Sequence, residues 1–194
     1  AIEDYSKAIE LDTVYASAFN NRGLSLLNIE QYKSSFKDFD RAIELDPEDP
    51  MPIFNRGLAK VILKQYEDAL SDINKAITLD EDPDGKYYDL RGQAEYSLGN
   101  YKKAIFCFNQ AEKLYDIYKD QTFLRLRGLS YKALGKKELA IKDFQQAFSL
   151  GDEESKSLLK SISKWHFFKF SIKNYKYINS FLNTSNIFKK IIYS

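Results

Sequence analysis

Apolar residues in the first 150 positions recur at three- and four-residue intervals, in short blocks separated by polar turns. Phe19, Gly23, Leu26 and Ile29 fall on one helical face. Tyr32, Ser35, Phe36, Phe39, Ala42, Ile43 and Leu45 fall on another. This pattern predicts two consecutive helices joined by the short turn "IEQY". The corresponding turn further on is "LGNY", where Gly99 suits a left-handed helix end. After the second helix comes "LDPEDP". Pro47 cannot continue a helix there, and the next helix is expected to start near Pro50.

The two-helix block then repeats. Gly23, Gly57, Gly92 and Gly128 each follow an arginine, at separations of 34, 35 and 36 residues. Ala8, Ala42, Ala76, Ala111 and Ala147 run in step, as do Ala1, Ser35, Ala69, Ala104 and Ala140. A fourth series is large: Tyr5, Phe39, Ile73, Phe108 and Phe144. Self-similarity at this period is the mark of a solenoid. Small residues on a helix face let a neighbouring backbone approach, and a large residue fills the space between the helices. The Arg-Gly copies therefore read as packing teeth inside helices, not as phosphate-binding loops. A mid-helix glycine costs about 1 kcal/mol against alanine, so close packing is the expected reason for it.

With these residues in view, the chain resembles the tetratricopeptide repeat family. That family carries a large residue, Leu-Gly or an equivalent, then Tyr, Ala, Phe, Ala and Pro at fixed places. The stretches "AFNNRGLSLLNIEQYKSSFKDFDRAIELDP" and "YDLRGQAEYSLGNYKKAIFCFNQAEKL" carry the likeness most fully. Lys60 and Glu95 stand where the family often has Tyr, and Lys137 replaces the tyrosine between the helices. The resemblance implies an all-α, right-handed solenoid of helix-turn-helix repeats. The expected division is a half-repeat at 1–15, repeats at 16–49, 50–84, 85–120 and 121–151, a capping helix at 152–164, and a tail at 165–194. In the capping segment, Asp152 can cap the helix start, and Leu158, Leu159 and Ile162 form one apolar stripe.

Composition changes this picture little before the tail. Net charge over 194 residues is +1, which gives no global reason to expect nucleic acid. Residues 165–194 hold five lysines, no acid and 9 of the 29 aromatics, so residues 1–164 carry 24 basic against 28 acidic side chains. The tail shows neither a clean amphipathic moment nor a stacking motif. It reads as a loosely ordered segment or a misjudged gene boundary, which mass spectrometry of the native protein would distinguish. The single cysteine, Cys107, permits no intramolecular disulfide. No run long enough to span a membrane and no secretory signal is seen. A cytoplasmic location is the expectation. The pattern at Ala1 begins mid-helix, so the chain reads as a fragment.

No catalytic constellation is visible. His166 is the only histidine, and Cys107 in "AIFCFNQA" has no base to activate it. The acids of "LDPEDP" and "LDEDPDG" lack the alternation of a calcium loop and read as turn residues. No metal, cofactor or enzymatic activity is expected.

What remains is surface. The resemblance implies that the first helix of each repeat lines a concave groove. Its lining positions fall on Asn20 and Leu24, then Met51, Phe54, Leu58 and Val61, then Asp89, Gln93 and Tyr96, and last Arg125 and Lys132. The expected ligand is a protein or peptide with apolar anchors near Phe54 and an acidic group near Arg125 and Lys132. Packing of Met51, Phe54 and Val61 against the next helix is the competing reading, since periodicity alone does not separate groove from core. If the groove reading holds, Phe54→Ala with Arg125→Ala removes partner capture and leaves the helical melt nearly unchanged. The expected function is a non-catalytic scaffold or adaptor, with the regulatory arm of a larger enzyme as the alternative. A chaperone co-receptor is disfavoured. In the two registers allowed by Asn21 and Asn55, only Lys86 falls on a carboxylate-clamp position.

Overall fold

The computed structural model describes residues 1–114 and 121–162, so the 165–194 tail lies outside it. Among the described residues the chain is helical throughout. The order is α1 (Ile2–Leu11), α2 (Ala16–Asn28), α3 (Tyr32–Leu45), α4 (Pro50–Ile62), α5 (Tyr66–Leu79), α6 (Gly85–Ser97), α7 (Tyr101–Leu114), α8 (Gln121–Ala133) and α9 (Lys137–Ser149). A further helix, α10, covers residues 153–162. None of the described helices is long and apolar enough to cross a membrane.

Local chemistry sets the ends. Asp49 accepts a bond from the Met51 amide at 2.9 Å ahead of Pro50, and Asp84 does the same for Lys86 at 3.2 Å. Asp152 accepts from the Ser155 amide at 3.0 Å and from its hydroxyl, starting α10. Between paired helices, one residue takes the left-handed conformation: Glu30 (φ 62°), Lys64 (φ 61°), Gly99 (φ 77°) and Gly135 (φ 74°). The amide after each donates at 2.9 Å to the carbonyl five residues back, at Leu26, Lys60, Glu95 and Tyr131.

Each first helix lies against the second helix of its repeat through its glycine. A Cβ on Gly23 would stand 2.8 Å from Phe39 Cε1, and one on Gly57 3.0 Å from Ile73 Cγ1. At Gly92 and Gly128 the corresponding distance is 2.6 Å, to Phe108 and Phe144. Those four large residues are fully buried, as are the alanines that recur beside them. Ile162, with Leu158 and Leu159, covers Ala140 and Phe144.

First helices of neighbouring repeats touch: α2 with α4, α4 with α6, α6 with α8. Among the described residues, the second helices make no comparable contact. Unequal spacing of the two rows curves the array, with first helices on the inner side.

Candidate functional site

The inner row contains both packed and open positions. Asn20 is buried and accepts a 2.8 Å bond from Asn55 Nδ2, so it joins two repeats. Leu24 is half-buried against Leu27 and Phe39. Met51, Leu58 and Val61 are half-buried around the cluster of Ile53, Phe54 and Ile73. Phe54 is 8% exposed, with its ring edge-on to Tyr87 at 4.7 Å. The Tyr87 hydroxyl lies 3.6 Å from the Met51 sulfur. Burial, with Asp80, Asp49 and Asp84 nearby, holds the Tyr87 phenol well above its ordinary pKa. Phe54→Ala is thus a packing deletion, for which a lowered melt rather than an unchanged one is the expected result.

Lys86 sets a cation over this aromatic pair. Its Nζ stands 5.9 Å from the Phe54 ring and 5.4 Å from the Tyr87 ring. Asp84 lies 3.8 Å from the same ammonium. Further along, Asp89, Gln93 and Tyr96 are half-buried, and Tyr96 packs 5.9 Å from Tyr101.

The basic end divides in two. Arg125 is engaged within the chain, 3.3 Å from Asp152 and 2.9 Å from Glu154 at the start of α10. Lys132 is exposed and lines an open cavity of about 350 Å³ with Lys137, Ser161 and Ile162 among the described residues. Of the predicted residues, Met51, Phe54, Leu58 and Val61 share one cluster with Lys86 above it, whereas Arg125 joins the start of α10 and Lys132 lies beside Ile162.

One role went unread in the sequence, that of the arginine in each Arg-Gly pair. Arg22 forks Asp38 with two bonds of 2.7 Å. Arg56 forks Asp72 at 2.9 and 2.7 Å and reaches Asp40 on α3 at 2.8 Å. Arg127 forks Asp143 at 2.8 Å and holds Glu112 on α7 at 2.6 Å. Each fork ties a first helix to its own second helix, and the longer reaches tie it to the preceding repeat. Burial pushes the Asp72 carboxyl up, but bonds from Arg56 and Lys60 outweigh this and hold it below the ordinary value. Asp143 is more enclosed, and there burial wins over Arg127 and raises it. The available signal was an aspartate sixteen residues after three of the four arginines.

The fourth such position is Cys107, which is 1% exposed. Burial pushes its thiol up to about 11, with Arg91 opposing. That is the state of a packed thiol rather than a nucleophile. No group of three or more potential metal ligands occurs among the described residues.

Two tetratricopeptide repeat family models match the chain, one over residues 85–116 and the other over 16–49, 53–83 and 126–150. No curated protein matches it. Among solved structures, YrrB, a TPR protein with an unusual peptide-binding site, is 21% identical, with a TM-score of 0.69 over 80% of this chain and 79% of its own. MamA from Desulfovibrio magneticus RS-1 is 19% identical, with a TM-score of 0.67 over 77% of this chain and 82% of its own. The first TPR of Spaghetti (RPAP3), bound to the HSP90 peptide SRMEEVD, is 22% identical, with a TM-score of 0.58 over 62% of this chain and 93% of its own. The chain belongs to the tetratricopeptide repeat family.

Proposed function

We propose that this tetratricopeptide repeat array is a non-catalytic interaction scaffold that holds a partner segment along its inner row of helices. One observation carries the reading. Leu24, Met51, Leu58 and Val61 stay half-buried on consecutive first helices, and the Lys86 ammonium stands over the aromatic floor beside them. An apolar strip with a nearby cation suits a segment that presents apolar side chains next to an acidic one. Phe54 forms the floor of this strip rather than a projecting anchor.

The acidic group expected near the basic end meets Lys132 first, because Arg125 is already paired with Asp152 and Glu154. A partner that reaches Arg125 must exchange with Glu154, the more exposed of the two acids. Two of the similar folds, YrrB and the RPAP3 repeat, are proteins whose structures concern peptide binding. This supports the class of function and leaves the partner's sequence to experiment. The carboxylate clamp remains disfavoured. Asn55 is spent on Asn20, and Lys86 sits over two rings with Asp84 at 3.8 Å.

The test is capture from native lysate with the full chain and with a Val61→Ser, Lys132→Glu variant. Lys132 is exposed and Val61 half-buried on the core, so the variant should stay folded at a cost of about 1 kcal/mol and lose the partners. Equal capture by both proteins removes the inner row as the site.

A further inference from the structure

The arginines that fork an aspartate differ in what they draw from the preceding repeat. Arg56 takes a second carboxylate from Asp40 on α3, at 2.8 Å. Arg127 takes one from Glu112 on α7, at 2.6 Å. Arg22 has no such acid. Ser6 and Ile9 stand on α1 at the registers of Asp40 and Glu112. Among the described residues, Arg22 Nη1 donates to the Ser6 hydroxyl alone, at 3.3 Å.

The space beside that guanidinium is open. A cavity of about 330 Å³ lies between α1 and α3, with Ser6, Arg22, Ser34 and Lys37 on its walls and Ile2 and Leu26 beside them. In the next repeat the register of Leu26 carries Lys60, whose ammonium reaches Asp72 at 2.7 Å. Leucine supplies no such cation, and Ser6 and Ser34 are shorter than their counterparts Asp40 and Asp68.

The charge of the lining is uneven. Asp38, which also lines the cavity, already takes two bonds from Arg22. Arg22 and Lys37 against Asp38 leave one positive charge in excess. Ser34 and Lys37 are exposed, and neither side chain bonds another described residue. The Arg22 side chain keeps 23% exposure. These groups share one opening, so a ligand reaches them without unfolding the repeat.

We infer that this cavity is a subsite for a glutamate side chain of a partner protein. Its carboxylate pairs with Arg22 Nη1 and the Lys37 ammonium, as Asp40 pairs with Arg56, and the Ser34 hydroxyl donates to it. Its methylene stem lies on Ile2 and Leu26. A single negative charge balances the lining, and a phosphate dianion overshoots it. The subsite lies on the second-helix side, so it stands or falls independently of the inner row.

The probe is an acetylated, amidated Ala-Ala-Glu-Ala-Ala peptide, titrated into the full isotope-labelled chain. The readout is the side-chain Nε–Hε NMR signal of Arg22, with that of Arg56 as the internal control for an intact fold. The Arg22 signal should shift saturably and the Arg56 signal should stay in place. The same peptide with Gln for Glu should bind at least about tenfold more weakly, since charge-assisted bonds are lost. Lys37→Ser, an exposed change to the residue of the next repeat, should weaken binding about threefold or more. Ser6→Asp supplies the carboxylate within the chain, as Asp40 does, and should abolish the response. Phe106→Ser, 56% exposed at the register of Lys37 two repeats on, should leave the titration unchanged. No saturable shift at Arg22, or an equal response with the Gln peptide, with Lys37→Ser or with Ser6→Asp, overturns the inference. Tighter binding of inorganic phosphate than of the glutamate peptide overturns it as well.

Discussion

Gly92 and Phe108 lie so close that a Cβ on the glycine would stand 2.6 Å from the ring's Cε1 and 2.7 Å from its Cδ1. The ring is fully buried and has nowhere to move. Alanine's better helix propensity is worth about 1 kcal/mol, and overpacking costs about 1–3 kcal/mol. Gly92→Ala should therefore lower stability by up to about 2 kcal/mol in a denaturant titration. Gly57→Ala should cost clearly less, because its neighbour is Ile73 Cγ1 at 3.0 Å. Equal losses at the two positions would contradict the close-approach account.

Glu30 and Lys64 occupy the left-handed place that glycine holds in the other two full repeats. The conformation costs a residue with a Cβ about 1 kcal/mol, and glycine escapes this at some entropic expense. Glu30→Gly and Lys64→Gly should each raise stability by about 0.5 kcal/mol. Thermal melts of the single and double variants check this, and a loss of stability in either single would count against it.

Asp72 is held ionised by Arg56 and Lys60, at 2.7 Å each. Its folded pKa lies below its unfolded value of about 3.9. Its contribution is thus complete above that unfolded value and disappears as pH falls through the lower folded one. Asp72→Asn should cost about 3 kcal/mol at neutral pH, because one partner of a buried pair is removed. The variant should also show a flatter decline in stability between about pH 4 and the lower folded pKa. Circular dichroism melts across that range read both effects, and an unchanged acid slope would show that the fork does not govern it.

Phe54→Ala should lower stability by about 3 kcal/mol or more, as a large ring is deleted from a packed site. The measurement is the helical melt of the full chain. An unchanged melt would return Phe54 to the groove surface.

The repeat period, the glycine teeth, the left-handed Gly99 and the Asp152 cap were legible because each depends on neighbours within a few residues or on simple recurrence. The arginine forks were not. Arg56 and Asp72 sit on different helices, and their register exists only once those helices pair. Phe54 was ambiguous for a related reason. Helical spacing places it on a face, and only the arrival of Tyr87 decides how much of that face is covered. Arg125 looked like an open cation because its acids come from the start of α10, about thirty residues on.

Capture from native lysate, run in parallel with the wild-type chain, the Val61→Ser, Lys132→Glu variant and the Phe106→Ser variant, tests the central claim most directly. The account predicts a set of partners held by wild type and by Phe106→Ser but lost from the inner-row variant, with all three proteins folded at the temperature of capture. The same proteins retained by the inner-row variant at wild-type levels would contradict it.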